Sequence, residues 1–264
     1  MAIATLDQYI AAAKQRIQWI KTTSRTSVAA MPESVFDVAG NPGAGTLNVG
    51  NTANGLVPTD ATAGYPVLNT FGGSAGYISK VEFGSTVASW IDLYDRLFVA
   101  GAYSFNANVT LASQPPYSGR VPGGTDFKGL QLWVEAVTAL TGNLSIAVTY
   151  TNQDGTTGKT TGTVATGIAP ILGRCIQLPL AAGDSGLQKI ESVVATVSSA
   201  GTFNLMVLRP LWSGRIMLAN GGDVHDLLRT GMVQIFDTSA LYPLVTADST
   251  ATGIPEMAIE VANA

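Results

Sequence analysis

The alternation of apolar and polar residues from residue 77 onward constrains this chain more than any other feature. It is clear over residues 77–83, and again where Leu144, Ile146, Val148 and Tyr150 are separated by small residues. A period of two residues is typical of a β-strand that buries one of its faces. We therefore predict that residues 77–264 are mainly antiparallel β-sheet.

Turn signals separate the alternating segments. Asp154-Gly155 follows the strand at 144–150, and predicts a hairpin whose Thr-rich return strand ends near Ala165. Short strands with no helices between them favour an antiparallel β-sandwich of jelly-roll type. At 264 residues, either one large β domain or two small ones is possible. The other predicted strands cover 188–197, 202–209 (ending before Pro210), 233–236 and 258–261.

The first residues have a different pattern, which predicts a helix over 5–22. Thr5 followed by Gln8 forms a capping-box signature. The apolar residues then recur at helical spacing, while Trp19 lies nearly opposite their stripe at 100° per residue. A single partner surface could not cover both faces of such a helix. The stripe consists of Leu6, Ile10, Ala13, Ile17 and Ile20.

Residues 25–76 are rich in Gly and Pro but still contain apolar side chains. Gly and Pro interrupt helices and strands, whereas disorder requires low hydrophobicity and high charge. We predict an extended arm on its own surface or on a neighbour's, so that residues 1–76 (helix and arm) and 77–264 (β-sandwich) form the two parts of the chain. The candidate intersubunit contacts are Leu6, Tyr9, Ile10, Ile17, Trp19, Ile20, Leu47, Val49, Leu56, Val57 and Phe71.

The chain carries few charges. Asp, Glu, Lys and Arg make up 12% of its residues, against about 25% in typical soluble domains. A surface so poor in charge is weakly protected against association, which favours coverage by neighbouring subunits, although a low-charge secreted β protein would have the same composition. The basic residues are too dispersed for nucleic-acid binding. No segment has the length of a membrane span or the pattern of a signal peptide.

One short motif matches the nucleophile motif of α/β-hydrolases. Residues 72–76 match G-x-S-x-G, and Ser74, Asp184 or Asp223, and His225 follow in hydrolase order. The nucleophile elbow requires a buried strand before the serine and a helix after it, and neither is predicted here. His225 and Cys175 are the only His and Cys, too few for a zinc site, and Cys175 is expected to be a buried thiol. We expect no catalytic residues, no metal and no cofactor.

Two other patterns bear on carbohydrate chemistry. Asp92 and Asp95 could form a glycosidase pair, but residues three apart on a strand face opposite sides. Exposed aromatic residues could instead bind a glycan without catalysis, and the candidates are Trp90, Trp133 and Trp212. The sequence does not say which of these rings are exposed, and core packing is the competing interpretation.

Several segments resemble the virion proteins of tailed bacteriophages. They are residues 37–45, 93–97, 132–135 leading into 145–152, 180–187 and 208–211. The resemblance implies a β domain, often a symmetric oligomer, that coats or cements the capsid. It implies as partners the major capsid protein and further copies of the chain, and as location the virion, assembled in the host cytoplasm. The alternative is a glycan-binding β module of a tail or fibre.

Overall fold

The computed structural model describes residues 3, 5–71, 75–104, 106–166, 169–196 and 200–263. The prediction of a mainly antiparallel β protein is confirmed. Two short α-helices occur among these residues, α1 (Leu6–Ala11) and α2 (Leu227–Thr230), together with two 3₁₀ turns, Ser118–Arg120 and Pro122–Gly124. The strands are β1 Lys14–Lys21, β2 Pro32–Ser34, β3 Gly40–Asn41, β4 Asn51–Leu56, β5 Gly76–Ser85, β6 Ser89–Ser104, β7 Asn108–Thr110, β8 Gln131–Thr138, β9 Ser145–Asn152, β10 Lys159–Thr160, β11 Val164–Ala165, β12 Cys175–Leu178, β13 Leu187–Thr196, β14 Thr202–Ile216, β15 Gly221–His225, β16 Gln234–Ile235, β17 Leu241–Ala247 and β18 Pro255–Asn263.

The helix predicted over residues 5–22 is wrong beyond its first turns. The capping box exists, because the Thr5 and Gln8 side chains each accept from the other's backbone N–H. The helix nevertheless ends at Ala11, and residues 14–21 form a strand that pairs with β18. In that strand Ile17 and Trp19 both face the core, since they are two residues apart. Pairing with β18 and the burial of Ile17 and Trp19 in the core outweigh the helical spacing of the isoleucines.

The chain divides into two compact units. Unit 1 comprises residues 1–45, 59–95 and 211–264, and unit 2 comprises residues 46–58 and 96–210. This division differs from the predicted one at residue 76, because the N-terminal residues supply strands to both units. Strands β6 and β14 each continue from one unit into the other, at residues 95–96 and 210–211.

Unit 1 is a jelly roll. One of its sheets has the order β15-β5-β18-β1, with β3 beside β1 and β16 beside β5, and the other has the order β2-β17-β6-β14. The eight principal strands are lettered B to I in chain order: β1, β2, β5, β6, β14, β15, β17 and β18. The two sheets then have the orders G-D-I-B and C-H-E-F, which is the jelly-roll arrangement. The core lies between the two sheets and includes Trp19, Phe83, Ile91, Trp212 and Ile259.

Unit 2 repeats the same topology with other strands. Its sheets have the orders β12-β8-β14-β6 and β10-β9-β13-β7, with β4 beside β6 and β11 beside β9. When β6, β7, β8, β9, β10, β12, β13 and β14 are lettered B to I, these orders again read G-D-I-B and F-E-H-C. Unit 2 therefore occupies the E–F connection of unit 1, and adds a short segment from the C–D connection. Its core includes Phe98, Tyr117, Leu132, Tyr150 and Phe203.

The predicted arm packs on the chain's own surface over much of its length. Leu47 and Phe71 are buried, and the Phe71 N–H donates to Asp237 Oδ1 at 2.7 Å. The predicted end of a strand at Pro210 is also wrong. Strand β14 continues through that proline to Ile216; its pairing with β8 ends at Leu208, so Pro210 lies beyond that ladder, where a missing backbone donor is tolerated.

Candidate interaction surfaces

The predicted intersubunit contacts fall into three groups. Ile17, Trp19, Leu47 and Phe71 are enclosed by this chain's own side chains, so they present no surface to a neighbour. Leu6 and Ile10 are each 64% exposed on α1 and remain available. The third group is half-buried and consists of Tyr9, Ile20, Val49, Leu56 and Val57.

A polar contact of Tyr9 holds helix α1 beside strand β18. The Tyr9 hydroxyl donates to Glu260 Oε1 at 3.1 Å, and the Ser79 hydroxyl donates to the same oxygen at 2.8 Å. Burial is the main cause that raises the pKa of Tyr9, with the hydrogen bond to Glu260 second. Because Tyr9 faces β18, the Leu6 and Ile10 side chains are left exposed.

The residues of the hydrolase-like motif have structural partners. Ser74 lies outside the described residues. The Trp212 indole N–H donates to His225 Nδ1 at 3.0 Å, and burial lowers the pKa of His225. Asp184 accepts from the Asn152 amide and the Tyr150 hydroxyl, both at 2.8 Å, and these two bonds lower its pKa. His225 lies in unit 1 and Asp184 in unit 2.

Asp92 and Asp95 lie in different environments on strand β6. Asp95 is fully buried and accepts from the Ser239 hydroxyl at 2.7 Å and the Ala240 N–H at 2.9 Å. Asp92 is half-buried on the other face of β6, where burial raises its pKa and a hydrogen bond to Ser213 opposes that rise. The two carboxylates therefore do not converge, as the strand geometry predicts.

Among the three tryptophans proposed as glycan contacts, only Trp90 lies at the surface. It is 38% exposed, whereas Trp133 and Trp212 are 5% and 7% exposed. The Arg215 guanidinium carbon lies 4.0 Å from the centroid of the Trp90 ring, a cation–π contact. A sugar that stacked on this face of the ring would have to displace Arg215.

A shallow hollow of about 570 Å³ lies on the outer face of the β15-β5-β18-β1 sheet. Gly222, which has no side chain, lines it on β15 beside its strand partner Gly84 on β5. Arg16 borders it and donates to Glu82 at 2.6 Å. The Lys80 hydrogen bond is the main cause that lowers the pKa of Glu82. The hollow can accept polar groups; of its charged residues, Arg16 and Glu82 are paired with each other, and Asp223 is paired with Arg229.

A buried ion pair distinguishes unit 2. Arg96 Nη2 lies 3.0 Å from Glu135 Oε2, and the two side chains are 1% and 0% exposed. The Asn204 amide donates to the same Glu135 oxygen at 2.9 Å and to the Leu47 carbonyl at 2.7 Å. A pair so enclosed cannot contact a ligand, so we assign it a structural role that links β6, β8 and β14 to the segment around Leu47.

Sequence reasoning missed an apolar pair in a turn. Met217 and Leu218 connect β14 to β15 and are 65% and 75% exposed. Turns are usually occupied by Gly, Pro, Asn, Asp and Ser, so two large apolar residues immediately after a strand were the available signal. They lie outside the segments chosen as contact candidates.

The described residues contain neither a cluster of metal-ligating side chains nor a helix of membrane-spanning length. No group of three or more His, Cys, Asp or Glu side chains among them is placed to hold a metal ion. None of the helices in this part of the chain is long and apolar enough to cross a membrane.

Comparisons with known proteins find only distant likeness. No protein-family model matches the chain, and no curated protein matches it. Among solved structures, the VP2 subviral particle of infectious bursal disease virus is similar at 10% identity, over 95% of this chain and 80% of that chain, with a TM-score of 0.22. The structure of the Gx strain of the same virus has the same identity and coverage, with a TM-score of 0.18. Similarity at this level is weak and does not assign the chain to a family.

Proposed function

We propose that this chain is a non-enzymatic structural protein of a virus particle. The observation that carries the proposal is that both units have the complete eight-strand jelly-roll order. Jelly rolls occur in viral capsid and lectin domains and in cupins, so the topology favours this class by analogy. The low charge content favours a surface that is covered in an assembly.

More specifically, we propose that the protein cements or decorates the head of a tailed phage, with the major capsid protein as its partner. Binding to an assembled shell, and not to free subunits, would stabilise the shell by mass action. In this role the binding surface would consist of apolar side chains and uncharged polar side chains. The chain would need no catalytic group.

Immunogold labelling of intact virions tests the location. An antibody against this chain should label the outside of heads, and gold confined to tails or fibres would contradict the cement role. Treating purified heads to remove the protein should also lower the temperature at which they release DNA. Adding back the full chain should restore that temperature.

A glycan-binding module of a tail or fibre is the second candidate, and the surface position of Trp90 favours it. A glycan array probed with the purified chain separates the two functions. Binding that Trp90→Ala abolishes would support the glycan module, whereas an array without binding, together with labelled heads, supports the cement role.

The non-enzymatic part of the proposal has its own test. His225 is engaged with Trp212, so it is not oriented as a free general base. We expect no esterase or peptidase turnover with model substrates. A rate that Ser74→Ala and His225→Gln both abolish would contradict this expectation.

A further inference from the structure

Four connections of unit 1 meet at one end of its jelly roll. In this topology the B–C, D–E, F–G and H–I connections lie together, because neighbouring strands are antiparallel. The C–D and E–F connections, through which the chain leaves unit 1, lie at the opposite end. We call the first set the turn end; it consists of residues 22–31, 86–88, 217–220 and 248–254.

Hydrogen bonds join three of these connections. The Ser27 N–H donates to the Thr250 carbonyl at 2.9 Å, and the Asp248 N–H donates to the Ala88 carbonyl at 3.1 Å. The fourth connection is adjacent, since Gly221 directly follows it and pairs with Ser85, next to the D–E connection. The turn end is therefore a bonded surface, not a set of separate loops.

Close packing also fixes the backbone of the turn end. Gly253 has a φ of +68°, and a β-carbon there would lie 2.6 Å from Val87 Cγ2. Only glycine allows the H–I connection to approach the D–E connection so closely. A surface ordered in advance loses little conformational entropy when it binds.

The turn end exposes apolar side chains but almost no charge. Its only charged residues are Arg25 and Asp248, and Arg25 is paired with Asp37. The rest is Ser, Thr, Ala, Val, Asn and Gly with four larger apolar residues. These are Met31, Met217, Leu218 and Ile254, which are 39%, 65%, 75% and 38% exposed; Trp90 adjoins them at the start of β6, where Arg215 stacked on its ring marks the charged border of the patch.

We propose that the turn end is the surface through which copies of this chain bind one another. A nearly neutral patch can face an identical patch without like-charge repulsion, which costs several kcal/mol where charges oppose. Homo-oligomer interfaces are more apolar than other interfaces, and they are usually closed by symmetry. A partner of different sequence is normally selected by complementary charge, which this surface does not offer.

Leu218 is the residue at which to test self-association. Its side chain is 75% exposed, so Leu218→Glu changes the surface without opening the core. Sedimentation analysis of the full chain, up to about 100 μM, should show concentration-dependent oligomers, since even weak interfaces are populated there. Leu218→Glu should weaken association at least about tenfold. Val67→Glu is the matched control, because Val67 is 72% exposed and lies in the C–D connection.

A charge-exchange experiment shows whether the partner is a second copy. Leu218→Glu and Leu218→Lys should each be monomeric, and an equimolar mixture of the two should associate again. Circular dichroism and thermal melting should show all variants folded. A monomeric wild type at every concentration, equal effects of Leu218→Glu and Val67→Glu, or a mixture that stays monomeric would each overturn the proposal.

Discussion

Unit 2 encloses an arginine–glutamate pair, whereas the unit 1 pairs Arg16–Glu82 and Arg229–Asp223 lie at the surface. The two units share one strand order, so the jelly roll does not dictate where charge is placed. A buried pair holds its strands in one register, but leaves an uncompensated charge if one partner is lost. A surface pair contributes little in either case. The loss of one charge should therefore have very different effects at the enclosed pair of unit 2 and at these two surface pairs of unit 1; the third unit 1 pair, Arg25–Asp37, is partly buried and stands between them.

Replacing Glu135 by Ala should have the largest effect, a loss of about 4–5 kcal/mol in the free energy of unfolding of unit 2. It leaves Arg96 buried without this carboxylate and removes an acceptor from Asn204. Urea denaturation followed by tryptophan fluorescence measures the change. The double variant Arg96→Met/Glu135→Leu is the control, since an apolar pair of similar size should recover most of the loss. If the single variant is as stable as the wild type, the pair has no structural role.

Trp19→Ala should come next, with a loss of about 3–4 kcal/mol in unit 1, because it empties a large core position. The side chain is 2% exposed between the two sheets. Gln18→Ala, one residue away on the exposed face of β1, should change stability by less than about 0.5 kcal/mol. Equal effects at the two positions would contradict the strand assignment for residues 14–21.

Acid should destabilise unit 1 through His225. Burial is the main cause that lowers the pKa of His225 below its usual 6.5, Arg229 adds to the lowering, and Asp223 and Asp226 oppose it. The unfolded chain therefore binds the proton first, and stability falls as pH drops below about 6.5, by at most about 1.4 kcal/mol per pH unit.

His225→Gln keeps an acceptor for the Trp212 indole but does not titrate. Denaturation between pH 7 and pH 5.5 should therefore show a smaller slope in this variant than in the wild type. Wild-type stability that is constant over this range would contradict the assignment.

The smallest effect is expected at the surface pair of unit 1. Glu82→Ala should cost less than about 1 kcal/mol, because Arg16 is 59% exposed and remains hydrated without its partner. The cost should shrink further in high salt. A loss as large as that of Glu135→Ala would remove the contrast between the units.

The period-two pattern predicted several of the longer strands, including β5, β9, β13, β14 and β18, because each of them buries one face of a sheet; it gave no range for β17 or for the short strands β2, β3, β4 and β7. It failed over residues 14–21, where Ile17 and Ile20 fit a helix while Ile17 and Trp19 fit a strand. Only the presence of β18, more than 230 residues later, decides between the two periods. Non-local pairing of this kind leaves no trace in a short window of sequence.

The division into two units could not be predicted either. Residues 95–96 and 210–211 are the boundaries, yet both lie inside continuous strands and lack the usual composition of a linker. The contact candidates were chosen for apolarity alone, which does not separate buried Trp19 from exposed Leu6. Met217 and Leu218 are an unusual apolar pair for a turn, but the predicted strand ended before Pro210, so the sequence did not place them in one.

The pairing of β1 with β18 also sets an order of events at the ribosome. Lys14 pairs with Ala262, so the first strand of unit 1 has no β18 partner until the last strand is made. All of unit 2 is synthesised in the interval, and it can close before residues 211–264 emerge. An unpaired strand with an exposed apolar face, here Ile17 and Trp19, is prone to aggregation until its partner is made. The nascent N-terminal segment is thus a natural client for a ribosome-associated chaperone, and slower translation would prolong its exposure.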